Sequence, residues 1–194
     1  MDSAVLSQIV VAGATLGASL GGYLLAGVNE HRRDRRTLRR EMELRATERV
    51  AVREDEMHAI QRETLLALQD AVQAMARLTG RALHFDHMQA RKGQFTQFPE
   101  KFSDEMLANG IDVKRLMTRV LDDEVRGAVD TFNSETVRLS LHPLYLKGYE
   151  GEALERRADA RMYELNEAYS KVSDLLGKKV REEISWRPVD STNL

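Results

Sequence analysis

Cysteine is absent from all 194 residues, so a disulfide framework, a thiolate nucleophile and a cysteine-rich zinc site are excluded, and the composition fits a reducing compartment. Proline occurs 3 times and aromatics make up 6%, which argues against a Pro-rich linker protein and leaves the chain free to be helical up to Pro99. Neither sign of charge dominates. Lys+Arg is 29 against Asp+Glu 31, a net of −2, without the basic balance expected where nucleic acid is the main partner. Also missing are a Gly-rich phosphate loop, a GxSxG elbow and low-complexity tracts. With 42% hydrophobic and 31% charged residues, the chain is no disordered tail. At roughly 100–150 residues per domain, it has room for one domain and an extension.

One long uncharged run stands at the front. Residues 4–28 (AVLSQIVVAGATLGASLGGYLLAGV) contain no Asp, Glu, Lys, Arg or His. At ~1.5 Å per residue they make a helix of roughly 38 Å, enough to cross a hydrocarbon core of ~30 Å with some tilt. A secretory signal peptide carries Lys or Arg ahead of its apolar run, whereas here Met1-Asp2-Ser3 precedes it. Core helices are seldom uncharged for so long. Residues 1–28 therefore read as a transmembrane anchor. Behind it, Arg32, Arg33, Arg35, Arg36, Arg39 and Arg40 stand against a single Asp34. Short arginine-rich flanks stay cytoplasmic, so the N-terminus is expected outside the inner (cytoplasmic) membrane and residues 29–194 inside. The six arginines are the expected contacts to anionic membrane lipids, at ~1 kcal/mol each near the surface.

Within the run, Gly13, Gly17 and Gly21 recur every four residues, and Ala14, Ala18 and Gly22 form a parallel row beside them. Two adjacent rows of small residues make a flat helix face that lets backbones approach closely in lipid, where apolar burial gives no drive for pairing. Homo-oligomerisation through this helix is the expectation.

Residues 29–56 read as an Arg-rich juxtamembrane stalk with scattered Leu38, Met42, Leu44, Val50 and Val52. From Met57 the apolar spacing tightens to threes and fours: Met57, Ile60, Thr64, Leu68, Ala71, Met75, Leu78, Ala82 and Phe85. Residues 91–102 (RKGQFTQFPEKF) break this pattern, and Ser103 before Asp104 and Glu105 predicts an N-cap and a short helix to about Asn109, stopped by Gly110. Asp112 predicts the next cap, with Val113, Met117, Leu121, Val125, Ala128, Phe132 and Leu139 forming one helix before His142-Pro143. After a loop over 141–151, Leu154, Ala158, Met162, Leu165, Tyr169, Val172, Leu176, Val180 and Ile184 give the cleanest stripe. The fold expected is all-α: an N-terminal transmembrane helix continuing into a cytoplasmic antiparallel three-helix bundle over 57–187, with a short extra helix and a flexible tail over 188–194.

The Gly/Ala-rich span running straight into an Arg-rich helix, GATLGASLGGYLLAGVNEHRRDRRTLRRE, resembles a loose group of small single-pass helical proteins of high-GC Gram-positive bacteria and their phages. The excess of Arg over Lys, 22 to 7, agrees with a high-GC coding sequence. The likeness covers about the first 50 residues and transfers no catalytic residue. The anchor and long helix are also similar to the b subunits of rotary ATP synthases, but Pro99 and Pro143 interrupt any single extended stalk.

Candidates for chemistry are few. His84 and His87 lie three apart, as do Asp55 and His58, half of a di-iron helix pattern without the second Glu/Asp-x-x-His that such sites use. Asp122-Asp123-Glu124 diverge by ~100° per position on a helix and read as a solvated face. Phe95, Phe98 and Phe102 in one loop, and Leu144, Tyr145, Leu146 and Tyr149 in the other, either cover the bundle ends or form a partner site. No cofactor or metal is expected. The arginine run lacks interleaved aromatics, so nucleic acid is not an expected partner. The chain reads as a non-catalytic interaction or regulatory adaptor at the membrane, of the sensor or phage exclusion and defence kind, with an unidentified protein partner. The rival reading is a membrane-acting effector whose Gly/Ala helix oligomerises and permeabilises the bilayer; the lack of charge within the span places it second.

Overall fold

The computed structural model describes the backbone of residues 3–140 and 143–187 and the side chains of residues 35, 37–140 and 145–187. Its elements are α1 (Ser3–Ala90), α2 (Glu100–Met117), α3 (Asp123–Ser140), a single 3-10 turn (Pro143–Leu146) and α4 (Gly151–Ser185). No strand occurs among the described residues, and the fold is all-α. Helix α1 is unbroken through 29–90, as the absence of proline before Pro99 allows. The chain divides into two compact units, Met1–Arg53 and Glu54–Leu194.

In the first unit, Leu38, Met42, Leu44, Val50 and Val52 are all exposed, as are Arg35, Arg39 and Arg40. The expected span over 4–28, the small-residue face (Gly13, Ala14, Gly17, Ala18, Gly21, Gly22) and Arg32, Arg33 and Arg36 lie outside the described side chains. Among the described residues no helix is long and apolar enough to cross a membrane.

The second unit is a helical bundle held by four buried stripes. Leu65, Leu68, Val72 and Met75 of α1 pack with Val113 of α2, with Val125, Val129, Phe132 and Leu139 of α3, and with Leu165, Val172, Leu176 and Val180 of α4. Each stripe advances by threes and fours, the spacing that keeps side chains on one helical face. Phe132, Leu68, Leu139 and Leu176 are fully enclosed. Helices α1 and α2 run antiparallel: Asn109 Nδ2 donates to the Ala71 carbonyl at 3.0 Å, and Arg81 meets Glu105 at 3.4 Å.

The structure corrects four expectations. First, the bundle has four helices rather than three and a short cap. Helix α2 starts at Glu100, behind Pro99, and passes through Gly110 to Met117. Gly costs a helix interior only ~1 kcal/mol, and Phe102, Asn109 and Val113 lie on one inward stripe that outweighs it. Second, Ser103 and Asp112 are not caps. The Ser103 hydroxyl donates back to the Pro99 carbonyl, and Asp112 pairs with Arg115 at 2.9 Å. Third, the expected helix over 113–139 is cut at residues 118–122, where Asp122 caps α3 by accepting the Val125 amide at 3.0 Å. Two further groups fix that turn. Gln61 of α1 donates to the Arg119 carbonyl at 3.0 Å and accepts the Leu121 amide at 3.1 Å, while Arg126 donates to the carbonyls of Val120 and Leu121 at 2.6 and 3.0 Å. Fourth, the stripes are shifted at their ends. Met57, Ile60, Leu121, Met162 and Ile184 are exposed, and Leu65, Val72, Val120 and Arg161 are inside instead. The loop over 141–151 carries the 3-10 turn, whose Leu146 packs with Ala90, Leu154 and Ala158.

Candidate functional site

Three arrangements in the second unit bring functional side chains together. The first is an open groove of about 710 Å³ between α1 and the start of α2. One α1 face supplies it: Arg77, Arg81, His84, Phe85 and Met88, at spacings of four, three, one and three, which place all five on one helical stripe. Pro99 and Phe102 close the far wall. The aromatic wall is built by rings in series, Phe85 to Phe98 at 5.3 Å and Phe98 to Phe102 at 5.3 Å between centroids. Arg81 lies over the Phe102 ring at 4.9 Å, which places a cation at the groove's mouth. An apolar floor with Arg77, Arg81 and His84 along its edge can take an apolar ligand surface flanked by acids.

The second arrangement is a buried polar cluster beneath the segment that carries Tyr145 and Tyr149. Asp86 of α1 and Arg161 of α4 are each only 4% exposed, and they occupy stripe positions that spacing alone would fill with apolar residues. Arg161 donates to the Leu139 carbonyl at the end of α3 and lies 4.9 Å from the centre of the Tyr145 ring. Arg157 sits over Tyr145 and Tyr149, at 4.1 and 4.5 Å. Burial pushes the Asp86 carboxyl up to about 6, a rise that the positive charge of Arg161 holds back. Burial likewise pushes the Arg161 guanidinium down, opposed first by the negative charge of Asp86. At the rim, Glu155 receives Arg91 at 2.6 Å and His87 at 3.1 Å, and the Arg91 hydrogen bond keeps its carboxyl below the usual range.

The third is a clasp between α1 and α4. His58 Nδ1 meets Glu183 Oε2 at 2.6 Å, and Trp186 stacks on the imidazole with ring centroids 3.9 Å apart. Nearby, Lys179 pairs with Asp122 at 2.8 Å. That bond and the Val125 amide hold the Asp122 carboxyl below its ordinary value.

The candidates read from sequence are distributed among these arrangements. His84 lines the groove, whereas His87 turns to Glu155, so the two histidines do not converge. His58 takes Glu183 rather than Asp55 as partner. Asp123 and Glu124 lie on the solvated face expected of them, paired there with Arg126 and Lys179, while Asp122 turns in to cap α3. Among the described residues, no three His, Asp or Glu side chains form a group that could hold a metal. Of the loop aromatics, Phe102 is buried while Phe95, Tyr145 and Tyr149 remain over a third exposed. The sequence reading missed Asp86 and Arg161. Their signal was visible only as a charged residue at stripe positions 86 and 161, where a one-residue shift of register had hidden it.

No family model matches the chain, and neither a curated protein nor a solved structure shows significant similarity to it.

Proposed function

We propose that the chain is a membrane-anchored cytoplasmic adaptor: residues 4–28 hold it in the inner membrane, the Arg32–Arg40 run contacts anionic lipid, and the Glu54–Leu194 bundle docks a protein partner without catalysing a reaction. The observation that carries this reading is the groove, in which Phe85, Met88 and Phe102 form an apolar surface beside Arg77, Arg81 and His84. Solvent-facing aromatic and apolar surface edged by cations marks an interaction site. The uncharged run at 4–28 and the six arginines behind it support the anchor and its orientation.

The experiment uses the full chain in cells. A fluorescent protein fused after Leu194 should fluoresce, alkaline phosphatase at the same place should stay inactive, and replacing residues 4–28 by polar sequence should release the protein from the membrane fraction. Met88→Asp should strip the co-isolated protein set without moving the chain from the membrane. Active phosphatase overturns the orientation, and an unchanged set of bound proteins overturns docking at the groove. The Gly13-Gly17-Gly21 row supports the second reading, a permeabilising oligomer. Membrane depolarisation on modest expression, abolished by Gly17→Ile, would put that reading first.

A further inference from the structure

The groove between α1 and the start of α2 restricts what can fill it. Its walls are helix surfaces, closed on the far side by Pro99 and Phe102, and a helix keeps its backbone N–H and C=O groups paired with one another. An extended peptide laid there would meet no sheet edge and would leave its own backbone groups unpaired against Phe85, Met88 and Phe102. A helix carries its backbone pairs with it, so a peptide occupant is helical.

Size sets how that helix sits. From Arg77 to Met88 the α1 wall is roughly 17 Å long, or three turns at ~1.5 Å per residue. A helix ~10 Å across occupies roughly 1,300 Å³ over that length, whereas the groove holds about 710 Å³. One apolar face therefore enters, and the flanks of the partner helix stay at the rim.

The rim has one sign. Arg77, Arg81 and His84 line the groove and no acid does. Arg81 is already engaged, meeting Glu105 at 3.4 Å and lying over the Phe102 ring. Arg77 and His84 are exposed and have no hydrogen-bond or ion-pair partner among the described residues. Seven positions apart, they lie on one face of α1 with ~10.5 Å of rise between them. A carboxylate can accept from the Arg77 guanidinium and from an imidazole N–H of His84. Two acids seven positions apart on the partner helix match that separation.

We infer that the groove takes an acidic amphipathic helix from another protein, three turns long, whose apolar stripe packs on Phe85, Met88 and Phe102 while acids beside the stripe meet Arg77 and His84. The inference rests on the reading of the groove as a docking site and names the chemistry of its partner.

The test measures fluorescence anisotropy of a labelled 14-residue peptide on the full chain in non-ionic detergent. The peptide carries Leu at spacings of four and three on one face, with two Glu seven apart beside them. Two further peptides replace those Glu by Lys or scramble the same composition. The Glu peptide should bind about fivefold more tightly than the Lys peptide, the upper end for one exposed ion pair, and the scrambled peptide should bind more weakly still. Arg77→Glu with His84→Glu should reverse the preference, with circular dichroism confirming that the variant remains helical. The arginines at 32–40 are unchanged in that variant, so attraction to them cannot produce the reversal. Equal binding of the ordered and scrambled peptides, or a preference that the double variant leaves unchanged, overturns the inference. Displacement of the bound peptide by phosphatidylglycerol assigns the groove to a lipid surface, and weaker binding as the chain is concentrated assigns it to a second copy; either result overturns it too. Failure of the docking reading itself is a different result, namely the unchanged set of bound proteins with Met88→Asp.

Discussion

Replacing Asp86 by asparagine isolates what burying a carboxylate costs this bundle. Burial raises the Asp86 pKa from 3.8 to about 6, so the native state holds the proton more tightly than the unfolded chain. The neutral acid's contribution is fully present below pH 3.8 and is lost as pH rises through about 6. At ~1.4 kcal/mol per pKa unit, the loss is about 3 kcal/mol. Asp86→Asn cannot ionise, so it escapes that loss, although it also removes the main negative charge acting on Arg161. Urea unfolding of the full chain in detergent, followed by circular dichroism from pH 4 to pH 8, gives both stabilities. Subtracting one from the other removes titrations common to both proteins. The variant should gain on the wild type by about 2.5 kcal/mol over this range, with most of the gain between pH 4 and 6. A difference that is flat with pH, or that favours the wild type as pH rises, refutes the argument. In the companion variant Arg161→Met, the attraction that restrains Asp86 is gone, and carboxyl carbon NMR should place its titration above 6.

Three further substitutions test the bundle's turns and the interior of α2. Gln61→Ala removes both side-chain hydrogen bonds that tie α1 to the turn over 118–122 and should cost about 1–3 kcal/mol in urea unfolding; no loss would mean that Arg126 and Asp122 hold the turn alone. Gly110→Ala meets open space at the new Cβ inside α2 and should stabilise by about 0.5–1 kcal/mol, whereas Gly93→Ala, at a φ of +68°, should destabilise; thermal shifts of like sign in the two variants would contradict this.

The bundle helices were legible where apolar residues recur without competition. Leu68, Met75, Leu165, Val172, Leu176 and Val180 were placed correctly because they keep the spacing of threes and fours that one buried helical face requires. Legibility failed where local signals compete with packing. Gly110 is a good helix terminator in isolation, but inward Phe102, Asn109 and Val113 on both sides carry α2 through it. The true break relies on Gln61, sixty residues away in sequence, and on Asp122, whose role as a cap is hidden inside a run of three acids. The groove is a tertiary product. Its α1 stripe could be written down from spacing, but Phe102 joins it only because the chain reverses between Ala90 and Glu100. Asp86 and Arg161 were unreadable for a related reason: a charged residue is assigned to solvent unless its partner on another helix is known.

The clasp at His58 also gives the protein an optical signature of its own. Trp186 is the only tryptophan, and it stacks on an imidazole contributed by a different helix. Ring-on-ring contact of this kind shortens the indole excited state, so the emission of the whole chain reports one junction: α1 against the end of α4. Separation of the end of α4 from α1 changes the brightness and colour of that one residue, whatever the state of the core around Phe132 and Leu176. A label-free lifetime measurement can thus separate fraying of this corner from global unfolding, in detergent, in vesicles or in the presence of a bound partner.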